Sequence, residues 1–159
     1  MTERLTQTPS QTVGPFFSIG LCRAPQNVMA ATTDGEQIRI EGSVFDGAGA
    51  PVPDAMLEVW HPAVGFARAA TDADGRYFFE AVGAPYLNVI VFARGMLVHA
   101  FTRMYFGDNA HNAVDLVLMR VDAARRSTLI AQRTDRDGAA VYRWDVHLQG
   151  ASETVFFDL

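Results

Sequence analysis

Several things are missing from this sequence, and each absence narrows what it can be. Lysine is absent: all 13 basic residues among the 159 are arginine, a bias that genome composition alone can produce. Cysteine is nearly absent. Cys22 stands alone, so no internal disulfide can form and nothing signals an oxidising compartment. No apolar run approaches membrane-spanning length. The start, Met1-Thr2-Glu3-Arg4, lacks the basic-then-apolar pattern of a secretion signal, which makes the cytoplasm the expected location. Net charge is -5, which argues against nucleic acid or an anionic membrane as the main partner. No Gly-rich loop precedes a helix, so phosphate binding by that route is not expected. There is no internal repeat, no low-complexity tract and no convincing amphipathic helix.

What remains reads as strands. Hydrophobic residues make up 49% of a chain long enough to bury one core. Residues 1–36 are polar and turn-rich and read as an extended N-terminal arm, lying on a partner or on the chain's own body. From Gln37 the pattern alternates: Ile38, Ile40 and Val44 sit between Arg39, Glu41 and Ser43, the period of a half-buried strand. Further strands are predicted at Leu57–Trp60, Tyr77–Phe79, Leu97–Phe106, Val114–Met119, Ser127–Gln132, Val141–Leu148 and Thr154–Phe157. Tyr86–Phe92 reads as a central strand covered on both faces. Turns are predicted at Asp46-Gly47-Ala48-Gly49, Asp72-Ala73-Asp74-Gly75 and Asp135-Arg136-Asp137-Gly138, the last as a hairpin, with one possible helical turn at Asp122–Arg126. Short strands at even spacing predict a single all-β sandwich over residues 37–159.

The residues that carry chemistry form no recognisable centre. His61, His99, His111 and His147 stand far apart, and the His-x-His spacing that puts two imidazoles on one strand face is absent. Tyr77, Tyr86, Tyr105 and Tyr142 could offer phenolate to Fe(III), yet all lie in predicted strands, where packing accounts for them. No context marks a nucleophile, and Cys22 reads as a small hydrophobe.

Ordered segments nevertheless resemble the intradiol ring-cleaving dioxygenases, and among them the iron-free α chains of the two-chain members. The similar stretches are Thr8–Phe17, Gly42–Gly47, Leu57–Trp60, Phe92-Ala93-Arg94-Gly95, Thr102–Phe106, Arg125–Ala131 and Glu153–Asp158. In the iron-bearing chains of that family two tyrosines and a His-x-His hold the metal. Here Tyr86 and Asn88 stand where the histidines would be. Phe66 matches one tyrosine, and the loop that should carry the other is cut to Glu80–Ala84. The region between Trp60 and Tyr86 is shorter than in familiar α chains.

The resemblance implies the intradiol sandwich fold and no metal ligand in this chain. It implies Fe(III) held by a partner β chain, protocatechuate and O2 as substrates at a shared site, 3-carboxy-cis,cis-muconate as product, a place in aromatic degradation and a larger hetero-oligomer. It also implies substrate-pocket roles for Thr12, Gly14 and Pro15 in the arm. Thr12 offers a hydroxyl, Gly14 permits close approach and Pro15 fixes direction. Arg94 carries over as a candidate for a carboxylate or the anionic product. Arg103 matches a family position and is given no site role. The competing expectation is a non-enzymatic transthyretin-like or carboxypeptidase-regulatory-like module, suggested by Asp72–Phe78. A self-sufficient intradiol enzyme is disfavoured by the missing His-x-His.

Overall fold

The computed structural model describes Gly14, residues 17–29 and residues 35–158. Among these, nine strands carry the fold: β1 (Gln37–Phe45), β2 (Ala55–His61), β3 (Gly65–Ala70), β4 (Arg76–Val82), β5 (Tyr86–Ala93), β6 (Ala100–Phe106), β7 (Ile130–Arg136), β8 (Ala139–Arg143) and β9 (Val146–His147). They run in the order β3-β2-β5-β6-β7-β8-β1-β4, with β9 extending β1. The β6–β7 link is thin, two parallel pairs at Tyr105–Ile130 and Phe106–Ala131. There the path turns from one layer, β3-β2-β5-β6, into the other, β7-β8-β1-β4. The expected sandwich is the fold observed.

Strict alternation separates the core from the outer face. In β5, Leu87, Val89, Val91 and Ala93 are buried, while Tyr86, Asn88, Ile90 and Phe92 are half-buried on the opposite side. Leu57 and Val59 of β2 join that inner face, and Ile40, Phe79 and Tyr142 meet it from the second layer. Each fully buried Leu or Val contributes about 1.5–3 kcal/mol. β5 is central, as its composition predicts, being paired with β2 and β6. Its outer face is not covered: it forms a wall of a cleft.

The two ends of the strand path, β3 and β4, are edges that require covering. Residues 26–29 of the N-terminal segment cover both. The Arg68 amide in β3 donates to the Gln26 carbonyl (2.8 Å), while in β4 the Glu80 amide donates to Asn27 (3.0 Å) and the Glu80 carbonyl accepts from Met29 (2.8 Å). Met29 and Phe17, the latter in the short helix α1 (Phe17–Leu21), are buried. This stretch lies on the chain's own body. Thr12 and Pro15 fall outside the described residues.

Several local readings differ from the sequence pattern: Ser127–Leu129, expected at the start of a strand, lies in a 3-10 turn at Arg126–Leu129, and β7 begins only at Ile130. Val114–Met119 is not a strand: it holds the end of the loop after a 3-10 turn at Ala110–Ala113 and most of helix α2 (Leu116–Arg120). The cause is capping. The Asp115 carboxylate accepts the amides of Val117 and Leu118, which turns an apolar run that would suit a strand into a helical one. β3 escaped prediction because its inward residues are Ala67 and Ala69, which carry little strand signal. Thr154–Phe157 makes a single bridge, Phe157 to Phe101, rather than a strand. The predicted hairpin at Asp135–Gly138 is present, with Asp137 and Gly138 both at positive φ (53° and 80°), the backbone a two-residue turn needs.

Gly42 is where β1 changes partners, from parallel β8 (Ile38–Glu41 against Ala140–Arg143) to β9 (Val44–Phe45 against Val146–His147). The chain between them passes against Gly42: a Cβ there would collide with the Trp144 carbonyl oxygen and stand 2.8 Å from the Tyr77 hydroxyl. That hydroxyl donates to the same carbonyl at 2.6 Å, and burial pushes the Tyr77 phenol well above its ordinary value, so it stays protonated. Gly42→Ala is expected to cost about 3 kcal/mol or more, because backbone has to move. Gly49→Ala serves as comparison, having open space but positive φ, and should cost about 1 kcal/mol. Urea unfolding of the two variants checks the order.

Candidate functional site

The outer face of β3-β2-β5-β6 carries two cross-strand rows set by register. Phe66, Trp60, Asn88 and Arg103 face one another in sequence across the four strands. Beside them run Arg68, Glu58, Ile90 and Phe101. Residues of α2 and the loop after it, Val117, Arg120 and Val121, oppose this face, with Val155 and Phe157 from the C-terminal segment. Together they enclose an open cleft of about 910 Å³, within the size range of ligand sites. Its walls are mainly apolar and aromatic. Trp60 and Phe66 remain 47% and 46% exposed. The Arg68 guanidinium lies 5.3 Å over the Phe66 ring and forms a close ion pair with Glu58, so the Glu58 carboxylate at the edge is neutralised.

At the floor sits the group that sequence reasoning left without a role. Arg103 donates from Nε to Asn88 Oδ1 (3.0 Å), and its guanidinium lies 4.3 Å over the Tyr86 ring. Its NH1 stands 3.8 Å from the buried Asp115 carboxylate. Asp115 also accepts the Tyr105 hydroxyl (2.9 Å) and lies 3.5 Å from His111 Nε2. Burial alone would raise the Asp115 carboxyl. The Leu118 amide, the Tyr105 hydroxyl and the Arg103 charge outweigh it and hold the group below the ordinary value. The Tyr105 phenol is pushed up to about 12, chiefly by burial, so it donates rather than ionises. His61, whose ring centroid is 5.1 Å from that of Tyr86, is pushed down by burial and then by the Arg103 charge.

Fe(III) does not fit among these residues. The Asn88 oxygen already accepts from Arg103, Phe66 has no donor atom, and a fixed guanidinium stands beside both Tyr86 and Asn88. Its positive field already disfavours a proton on His61 and would oppose a trivalent ion far more. No group of three or more His, Cys, Asp or Glu is placed to hold a metal among the described residues.

The other sequence candidates lie elsewhere. Gly14 is exposed, its carbonyl accepts from the Phe17 amide, and a Cβ there would meet nothing within 4 Å among the described residues. Arg94 lies beyond the end of β5, exposed, paired with Asp54 at 2.9 Å. It does not line the cleft: six residues past Asn88, it sits roughly 20 Å along the strand direction. The pairing of Arg103 with Asn88 could not be read from sequence. The available signal was a charge at an outward position of an otherwise apolar strand.

Comparison with protein-family models gives no match. Comparison with individual proteins is decisive. The chain is 45% identical to the protocatechuate 3,4-dioxygenase alpha chain of Burkholderia cepacia, over 98% of each chain. It is 27% identical to the protocatechuate 3,4-dioxygenase beta chain of the same species, over 76% of this chain and 67% of that one. The 3-chlorocatechol 1,2-dioxygenase of Rhodococcus opacus 1CP superposes with a TM-score of 0.63 at 15% identity, covering 78% of this chain and 65% of that one, a likeness of fold. The chain belongs to the family of protocatechuate 3,4-dioxygenase alpha chains, within the intradiol dioxygenases. The alternative of a non-enzymatic regulatory module is set aside by the 45% identity along the whole chain. The alignment spans 196 positions against 159 residues here, so this chain carries gaps relative to that alpha chain. The connections between the strands from Trp60 to Tyr86 are short, residues 62–64, 71–75 and 83–85, in the region where the resemblance had placed the shortening.

The charge on Arg103 gives a measurable effect at His61. A His pKa lowered by the fold means the unfolded chain takes up the proton first. Stability therefore falls as pH drops below the ordinary value of 6.5 toward the folded pKa. In Arg103→Gln the His61 titration, followed by NMR, is expected to move up, and the loss of stability over that interval to shrink.

Proposed function

We propose that this chain is the iron-free α subunit of a protocatechuate 3,4-dioxygenase, working with an iron-bearing β subunit. Together they convert protocatechuate and O2 to 3-carboxy-cis,cis-muconate, with both oxygen atoms retained in the product. The observation that carries this reading is the whole-length similarity to an alpha chain, joined to a site where Tyr86 and Asn88, at the expected histidine positions, hold the Arg103 guanidinium, and where Phe66 stands farther along the same row. The Fe(III) of the partner supplies the activation of the catechol toward O2. This chain's part is to shape and enclose the partner's pocket.

In this reading Thr12, Gly14 and Pro15 of the arm lie over that pocket. Gly14 supports it in one respect. No described residue would meet a Cβ there within 4 Å, so among the described residues nothing in this chain requires glycine at that position. Arg94 has a weaker claim, since Asp54 already satisfies it at the end of β5. An exposed apolar knob supports a protein partner: Val114, Leu116 and Met119 are 65%, 72% and 53% exposed on one short segment.

Oxygen uptake with protocatechuate tests the proposal. Activity and bound iron are expected only when this chain is co-expressed with a related chain carrying two tyrosines and a His-x-His. Iron-dependent turnover by this chain alone would overturn it. Thr12→Val and Gly14→Val in the complex are expected to lower kcat/KM about tenfold or more while leaving iron content unchanged. Arg94→Ala is expected to change it less than twofold. Leu116→Asp is expected to weaken assembly, read by size-exclusion chromatography.

A further inference from the structure

We propose that the cleft of this chain is itself a binding site for a planar aromatic carboxylate, held without turnover. The inference rests on the α-subunit reading only in assuming that the chain is assembled with its partner. The shape and the chemistry both come from the outer-face rows. Trp60, Phe66 and Ile90 give a broad flat apolar wall, and Val117, Val121 and Phe157 face it across the cleft. A volume of about 910 Å³ accommodates a substituted benzene ring with room for water. At one end of the Phe66–Trp60–Asn88 row stands the Arg103 guanidinium, anchored by Asn88 and stacked on Tyr86. Of its five N–H groups, the Nε one goes to Asn88 and another bonds the Tyr105 hydroxyl oxygen, while the Asp115 contact at 3.8 Å is longer than a hydrogen bond, which leaves the others for a ligand. A guanidinium oriented in this way suits the planar, two-oxygen geometry of a carboxylate.

The charges around the cleft set the strength and select the ligand. Glu58 is neutralised by Arg68, Arg125 is shared with the Glu153 carbonyl (2.8 Å), and the Asp122 carboxylate accepts the Ala124 amide (2.9 Å). Arg120 has no ion-pair partner among the described residues and lines the rim, with Asp158 also on the lining. A cluster of mixed sign around one oriented guanidinium favours a monoanion with a hydrophobic body over a small inorganic anion. It gives modest affinity. With no metal-ligand set at Tyr86, Asn88 and Phe66, a ring bound there would be retained unchanged.

Equilibrium dialysis of benzoate against the assembled αβ complex tests this, with oxygen uptake on protocatechuate measured in the same preparation. Two molecules of benzoate per αβ unit are expected. Arg103→Gln and, independently, Trp60→Ala are expected to weaken one of the two at least tenfold. Trp60 is half exposed, so its replacement reads the site even if Arg103→Gln fails to assemble. A complex that turns over protocatechuate but binds a single benzoate overturns the inference and leaves the subunit reading intact. Two sites that neither variant affects would place the second elsewhere and also overturn it. Loss of turnover in the wild-type complex would instead count against the subunit reading.

Discussion

The pairing register of β5 is the constraint on which the rest of the molecule depends. Its alternation sends Leu87, Val89 and Val91 into the core and Tyr86, Asn88 and Ile90 outward. A slip of one residue would bury the Asn88 carboxamide and the Tyr86 phenol, and would expose three of the best-buried side chains. The same register lines Asn88 up with Trp60 on one side and Arg103 on the other. Core and cleft are therefore two faces of a single choice. The tight turns on either side of β3, and the clasp of residues 26–29 on the Arg68 and Glu80 edges, keep that choice in place.

On that frame, a fixed cation occupies the outer face beside Asn88. The guanidinium of Arg103 stands among Tyr86, Asn88 and Asp115, where it satisfies a neutral amide, stacks on a ring and faces a buried carboxylate. Such a fixed charge is compatible with the depressed Asp115 and His61 values and incompatible with Fe(III) in the same space. The cleft beside it stays open along the aromatic wall of Trp60 and Phe66.

The all-β architecture was legible in residue order. Alternation at Ile38–Val44, the Asp72–Gly75 and Asp135–Gly138 turns and the β-branched run at Tyr86–Phe92 each announce their element through local chemistry. Misreadings arose where the decisive atom was a neighbour in space or a single cap. Asp115 converted an apolar run into α2 by accepting two amides. The alanines of β3 pack inward with too little hydrophobic surface to reveal a strand.

For the site, the division is sharper. The sequence by itself determined the fold class, the absence of a His-x-His, the family resemblance and the polar, turn-rich start of the chain, since all of these are properties of residue identity and spacing. Only the tertiary structure decided that Arg94 is held by Asp54 at a strand end, away from the cleft. Only it decided that Arg103 sits over Tyr86 and bonds Asn88. Both outcomes depend on which strands pair and in what register. That is settled by burial of the inner face across residues far apart in the chain, and no local pattern encodes it.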